Sequence, residues 1–197
     1  MNARNVLFSL AIVSLIAASP AHAGPFAYVV NSWYRSYVGV IDIATNTVAK
    51  EIKVGRYPRR VAITPGGAFA YIANFYSNNV SVIETATNTA VMTVPVGKRP
   101  IGIAITPNGA FAYVTSAYSS SVSLIDTTTN TVTTTVPVGK WPLRIAITPD
   151  GAFAYVTNAE SWDISVIDTA TNTVTARVTV GTRPSGIAIT PLGTDDD

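Results

Sequence analysis

The stretch IAITPNGAFAYVT, Ile103 to Thr115, runs on through VSLIDTTTNTVTTTVPVGKWP, Val122 to Pro142, and then restarts as IAITPDGAFAYVTN, Ile145 to Asn158. The same order of phrases occurs four times. Its landmarks recur every 42 residues: Asn46, Asn88, Asn130 and Asn172; Pro58, Pro100, Pro142 and Pro184; Pro65, Pro107, Pro149 and Pro191. A fixed period of this length marks a repeat architecture, in which each copy is a supersecondary unit completed by its neighbours. The repeat decides the fold before any single residue does.

Within the third copy, Ile103 to Thr106 is short, apolar and β-branched, as suits a strand buried on both faces. Pro107-Asn108-Gly109 then makes a tight turn. Phe111 to Thr115 is a second strand and Val122 to Ile125 a third. The turn Thr128 to Thr131 holds Asn130, a residue tolerant of left-handed backbone. Thr131 to Val138 alternates Val with Thr, as a half-exposed fourth strand should. That strand carries Pro95 and Pro137 in two copies, and proline confines it to a sheet edge. Four antiparallel strands per repeat describe one blade of an all-β propeller. Residues 24–194 would thus form four four-stranded blades. Pro25 to Tyr28 starts in the second strand of a blade, and Ile187 to Thr190 reads as the first strand of one. Pairing the two predicts a three-plus-one closure into a ring, which hides sheet edges.

These residues resemble a known family. FAYVTN at Phe153 to Asn158, VIDTATNTV at Val166 to Val174 and VGTRPSGIAITP at Val180 to Pro191 are similar to YVTN β-propeller repeats, which are WD40-like. Such repeats occur in surface-layer proteins and in exported or periplasmic bacterial proteins, and they resemble lactonase-type propellers. The resemblance covers essentially everything after residue 23. It implies the propeller firmly and an activity only weakly. The chain departs from the family pattern in two ways. Family propellers commonly have about seven blades against four copies here, and the last copy gives way after Gly193 to Thr194 and an acidic tail, Asp195 to Asp197. A closed four-blade ring is the favoured reading. An arc that completes itself by oligomerising and a truncated relative are the alternatives.

The first 23 residues read as a secretory signal, with Arg4 as its positive region, Val6 to Ala18 as its apolar stretch and Ala21-His22-Ala23 as its cleavage site. Thirteen apolar residues fall short of the roughly 20 needed to span a bilayer. A periplasmic, secreted or cell-surface location follows as an expectation. The chain has no cysteine, and its one histidine, His22, lies in the leader. The remainder has no thiol or imidazole for a zinc, haem or blue-copper site, nor for Ser-His or Cys-His catalysis. No cofactor and no catalytic residue are expected. The Asp126 to Asn130 segment lacks the glycine and distal glutamate of a calcium loop and reads as a turn.

Blade geometry sends the fourth-to-first connections to one face. They hold Arg56, Arg59, Arg60, Lys98, Arg99, Lys140, Arg144 and Arg183, eight of the twelve basic residues beyond the leader. Asp42, Glu84, Asp126, Asp150 and Asp168 go to the other face. The basic face also collects aromatic residues: Trp33, Tyr34, Tyr37, Phe75, Tyr76, Tyr118 and Trp162 from one set of loops, Tyr57 and Trp141 from the other. Cations interleaved with aromatic rings suit anionic polymers, sugars or stacked bases, although loop residues also fill space between blades. Two residues after the loop proline the copies read Arg60, Gly102, Arg144 and Gly186. Across a four-blade channel Arg60 and Arg144 would form a fork for a carboxylate or phosphate. The plainer alternative pairs each arginine with a backbone carbonyl, Glu160 or Asp163.

The residues expected to bind ligand are therefore Arg60, Arg144, Arg56, Lys98, Arg99, Lys140, Trp33, Tyr76, Tyr118 and Trp162. The expected function is a non-enzymatic binding or envelope scaffold using this face. A lactonase-like enzyme and a self-assembling arc are the alternatives. The expected partners are an anionic ligand, a glycan or an envelope protein; nucleic acid is a weaker variant because of export, and no membrane span is expected after the leader.

Overall fold

A computed structural model describes residues 25–33 and 36–191. The expected secretory signal, Tyr34 and the acidic tail lie outside the described residues. Blade I is β1 (Phe26–Asn31), β2 (Tyr37–Asp42) and β3 (Thr47–Lys53). Blade II is β4 (Pro58–Ile63), β5 (Phe69–Asn74), β6 (Asn79–Glu84) and β7 (Thr89–Pro95). Blade III is β8 (Pro100–Ile105), β9 (Phe111–Ser116), β10 (Ser121–Asp126) and β11 (Thr131–Pro137). Blade IV is β12 (Pro142–Ile147), β13 (Phe153–Asn158), β14 (Asp163–Asp168) and β15 (Thr173–Thr179). Each sheet is an antiparallel meander in chain order. The fold is an all-β propeller of four blades, as the 42-residue period requires.

The two central strands of each blade are the buried ones: β5, β6, β9 and β10 are closed off along nearly their whole length. Burial of the inner strand on both faces holds only in part. β8 is buried over Pro100 to Ile103, whereas β4 exposes Arg59, Arg60 and Ile63. The inner strands line the hub of the molecule, so one of their faces meets space rather than a neighbouring sheet. The outermost strands behave as the prolines demand. Pro95 and Pro137 sit in β7 and β11, at the sheet edges, and a bulge in each outer pairing adds twist.

Cores form between blades, not within them. Val38, Val40 and Ile52 of blade I meet Ala70, Ile72 and Ile83 of blade II. Tyr71, Val80, Val82 and Val94 of blade II meet Ile103, Ala112, Val114 and Ile125 of blade III. Tyr113, Val122, Leu124, Val136 and Val138 then meet Ile145, Ala154, Val156 and Ile167. Full burial of each such side chain is worth about 1.5–3 kcal/mol. A polar bond closes every junction. The Tyr28, Tyr71 and Tyr113 hydroxyls donate to the Oδ1 atoms of Asn88, Asn130 and Asn172 in the following blade, at 2.7 Å and 2.9 Å for the last two. Those asparagines are the left-handed turn residues, with φ of 51° to 55°. One residue type thus serves the turn and the next blade together.

The three-plus-one closure is not formed. Blade I has three strands with β1 at its edge, and residues 182–191 carry no strand. The inner strands meet in the series β1, β4, β8, β12, with no comparable contact between β12 and β1. Each junction turns the sheet normal by an amount set by its side chains, and three such turns do not bring blade IV round to blade I.

Candidate anion-binding face

At one end of the blades the connections into the inner strands meet the loops between the central strands. Backbone bonds knit the two sets together. The N–H groups of Arg56, Lys98 and Lys140 donate to the Oγ atoms of Ser77, Ser119 and Ser161, at 2.7, 2.8 and 2.9 Å. The N–H groups of Tyr76, Tyr118 and Glu160 donate back to the Arg56, Lys98 and Lys140 carbonyls, at 3.1, 3.2 and 3.1 Å. Tyr57, Arg99 and Trp141 each precede a loop proline and sit at φ of 58°, 58° and 56°. Holding a bulky residue in left-handed backbone costs on the order of 1–3 kcal/mol and persists only where its surroundings fix it. Such strain concentrates at functional sites.

The strained positions assemble a ladder of rings and cations across three blades. Tyr57 lies 5.0 Å from Tyr76, and Phe75 also lies 5.0 Å from Tyr76, centroid to centroid. The Arg99 guanidinium is held between blades, 4.3 Å from the Tyr76 ring and 5.4 Å from the Tyr118 ring. Tyr118 stacks in turn on Trp141 at 4.9 Å. Each cation over a ring contributes about 0.5–1 kcal/mol at an exposed site. Part of the charge of Arg99 is therefore spent on packing, as the plainer reading holds. Its Nη1 is nevertheless buried without a hydrogen-bond acceptor. Arg56, Tyr76, Asn78, Lys98, Arg99 and Tyr118 line one open cleft of about 320 Å³.

A second cluster lies at the hub. The inner strands bulge just after their prolines, so that Arg60 pairs with Ala73 and Arg144 with Thr157. In β8, between them, the equivalent residue is Gly102. A Cβ there would stand 2.6 Å from the Leu143 carbonyl oxygen and 3.2 Å from Arg144 Cα. The missing side chain lets β8 and β12 close up between the two arginine-bearing strands. Burial lowers the pKa of Arg144, and repulsion from Arg60 and then Arg59 lowers it further. The guanidinium still stays charged at any pH the fold survives. Among the described residues none of these three arginines has a carboxylate partner. Asp163, an alternative partner on sequence grounds, is taken by Arg177 at 3.2 Å and by Asn158 and Ser161.

Of the residues expected to bind ligand, the structure gathers Arg56, Tyr76, Lys98, Arg99 and Tyr118 in the cleft, and places Arg60 and Arg144 in the hub cluster. Trp33, Lys140 and Trp162 are exposed on the same set of loops but line neither. Sequence reasoning placed Arg59 on the basic face without counting it among the ligand residues, and passed over Asn78 and the structural reason for Gly102. Asn78 accepts from the Arg99 N–H at 2.9 Å, and the only signal for it was its place at the end of a central-strand loop. Asp126 serves its turn, its Oδ1 accepting from the Thr128 and Thr129 N–H groups at 2.8 Å each.

The match to the YNCE-like beta-propeller family model spans residues 61–190, from Val61 within β4 through the IAIT segment beyond β15, Ile187 to Thr190. The chain belongs to the YNCE-like β-propeller family. Both arginine-bearing blades, II and IV, fall largely within the match. Among solved structures, this YNCE-like propeller is similar to Kuenenia stuttgartiensis hydrazine synthase, with 28% identity, a TM-score of 0.70, and coverage of 73% of this chain and 43% of that one. It is also similar to a functionally unknown protein from Desulfotomaculum acetoxidans, with 22% identity, a TM-score of 0.66, and coverage of 76% and 50%. The latter likeness concerns the fold alone. The chain spans about half or less of the length of these structures. No curated protein matches it in sequence.

Proposed function

We propose that this propeller is an exported, non-enzymatic binding scaffold whose basic aromatic face holds an anionic glycan or similar envelope polyanion. The observation that carries the reading is the hub trio of Arg59, Arg60 and Arg144: Arg60 and Arg59 lie near enough to depress the Arg144 pKa, Arg60 and Arg144 follow the bulges of strands flanking β8, and none of the three has a carboxylate partner among the described residues. Like charges held together repel, and an anion that bridges them removes that repulsion. Arginine forks suit the paired oxygens of carboxylate, sulfate or phosphate groups. The cleft of Arg56, Lys98 and Arg99 lies on the same face and extends the footprint. Tyr76 and Tyr118 offer rings on which sugars can stack.

Calorimetric titration with dextran sulfate, and with uncharged dextran as the control, tests this. Binding is expected for the sulfated polymer alone. Arg60→Ala with Arg144→Ala should weaken it at least tenfold while leaving the circular dichroism spectrum unchanged, and Arg177→Ala, whose partner is Asp163, should have no comparable effect. Equal binding by the double variant would overturn the assignment.

A further inference from the structure

We infer that two copies of this chain join head to tail, each supplying the missing inner strand of the other's blade I, to close an eight-blade ring. The inference rests on the two unmatched faces of the arc, not on the anion-binding reading. Three internal junctions show what covers such faces. The leading face of a blade offers a tyrosine hydroxyl and a row of valines; the trailing face of the next offers an asparagine amide and an apolar central strand.

Among the described residues nothing covers the leading face of blade IV. Its Val178 and Val180 are 46% and 47% exposed, where the equivalent Val136 and Val138 of blade III are 2% and 8% exposed. Tyr155, the equivalent of Tyr71 and Tyr113, makes no hydrogen bond through its hydroxyl among the described residues. Blade I presents the matching trailing face. Val29 is 43% exposed where Ile72, Val114 and Val156 are fully buried, and among the described residues the Asn46 amide lacks the tyrosine that Asn88, Asn130 and Asn172 each receive. These surfaces are complementary because the same pair is already packed three times in the chain.

The strand count agrees. Among the described residues blade I has no inner strand, while Ile187-Ala188-Ile189-Thr190 repeats Ile103-Ala104-Ile105-Thr106 and forms no strand of its own. In blade III, Ile103 pairs with Val114, Ala104 with Tyr113 and Ile105 with Ala112. The same register sets Ile187 of one copy opposite Val29 of the other, Ala188 opposite Tyr28 and Ile189 opposite Ala27. A segment that follows blade IV then completes blade I of the second copy, which puts Tyr155 beside Asn46 across the junction. Two such junctions close a symmetric ring and leave only the short outer edges that propellers keep. Eight blades fall within the range that propellers adopt.

The chain contains no cysteine, so Val29→Cys with Ile187→Cys reports on this pairing alone. Facing strand residues meet the spacing a disulfide needs. Under mild oxidation the variant should run at twice the chain mass without reductant, and the unmodified chain should sediment as a dimer. Tyr155→Phe should raise the dimer dissociation constant about tenfold, since each ring contains two of these bonds, and should spare the internal junctions. A disulfide formed within one chain would mean self-closure and overturn the inference. So would a monomer at all concentrations, or a ladder of larger open oligomers.

Discussion

Tyr71 and Tyr113 show how one hydroxyl can serve a whole junction. Both rings are buried, and burial pushes both pKa values from 10.0 up to about 12, with the nearby carboxylates of Asp126 and Asp168 adding to the effect. A group whose folded pKa exceeds its unfolded value stabilises the fold fully below the unfolded value, and loses that contribution as pH rises through the folded one. The melting temperature should therefore fall across about pH 10 to about 12. Circular dichroism melts across that range check it; a flat profile would count against the account. Tyr71→Phe should lower stability at neutral pH by about 1–2 kcal/mol, because the Asn130 amide oxygen loses its donor, and should flatten the alkaline decline. At this scale the sequence was half legible. Asn130 was readable as a turn residue from its type and period. Its bond to Tyr71 was not, because the two lie 59 residues apart and only the curvature of the molecule brings them together.

The strands are where reading and structure agree most closely. The expected third-copy strands at Phe111 to Thr115 and Val122 to Ile125 became β9 and β10 with a residue added at one or both ends, because apolar period and turn residues fix both boundaries. The inner strand began earlier than expected, at Pro100, since the residue after the left-handed Arg99 already joins the ladder. The Arg60, Gly102, Arg144, Gly186 alternation was visible as a pattern, yet its reason was not. Only the packing of β8 on β12 shows that position 102 has no room for a Cβ. Gly102→Ala must displace the Leu143 carbonyl, which stands 2.6 Å from the new methyl position, and the Thr115 Oγ1 at 2.8 Å. The first is backbone and cannot swing aside. The substitution should cost about 1–3 kcal/mol, as overpacking does, measured by urea denaturation. It should also weaken dextran sulfate binding, because the strand that moves carries Arg144.

For the molecule as a whole, net charge is a poor guide to behaviour. The chain carries a formal +2, but its loop cations sit at one end of the strands and Asp126, Asp150 and Asp168 at the other. A six-residue strand separates the ends by about 20 Å, two Debye lengths or more at physiological ionic strength. An approaching polyanion therefore senses the basic end almost alone. Closure was illegible for a related reason: a 42-residue period counts blades but carries no information on the angle between them, and that angle decides between ring and arc. The charge separation has a kinetic consequence. Association with dextran sulfate should slow by at least tenfold between about 20 and 200 mM salt, because screening removes the steering field. The dissociation rate should change much less, being governed by short contacts at Arg60 and Arg144. Stopped-flow measurement across the salt series separates the two rates. Should salt act mainly on dissociation instead, the arginine contacts alone would account for binding and the field of the face would contribute nothing.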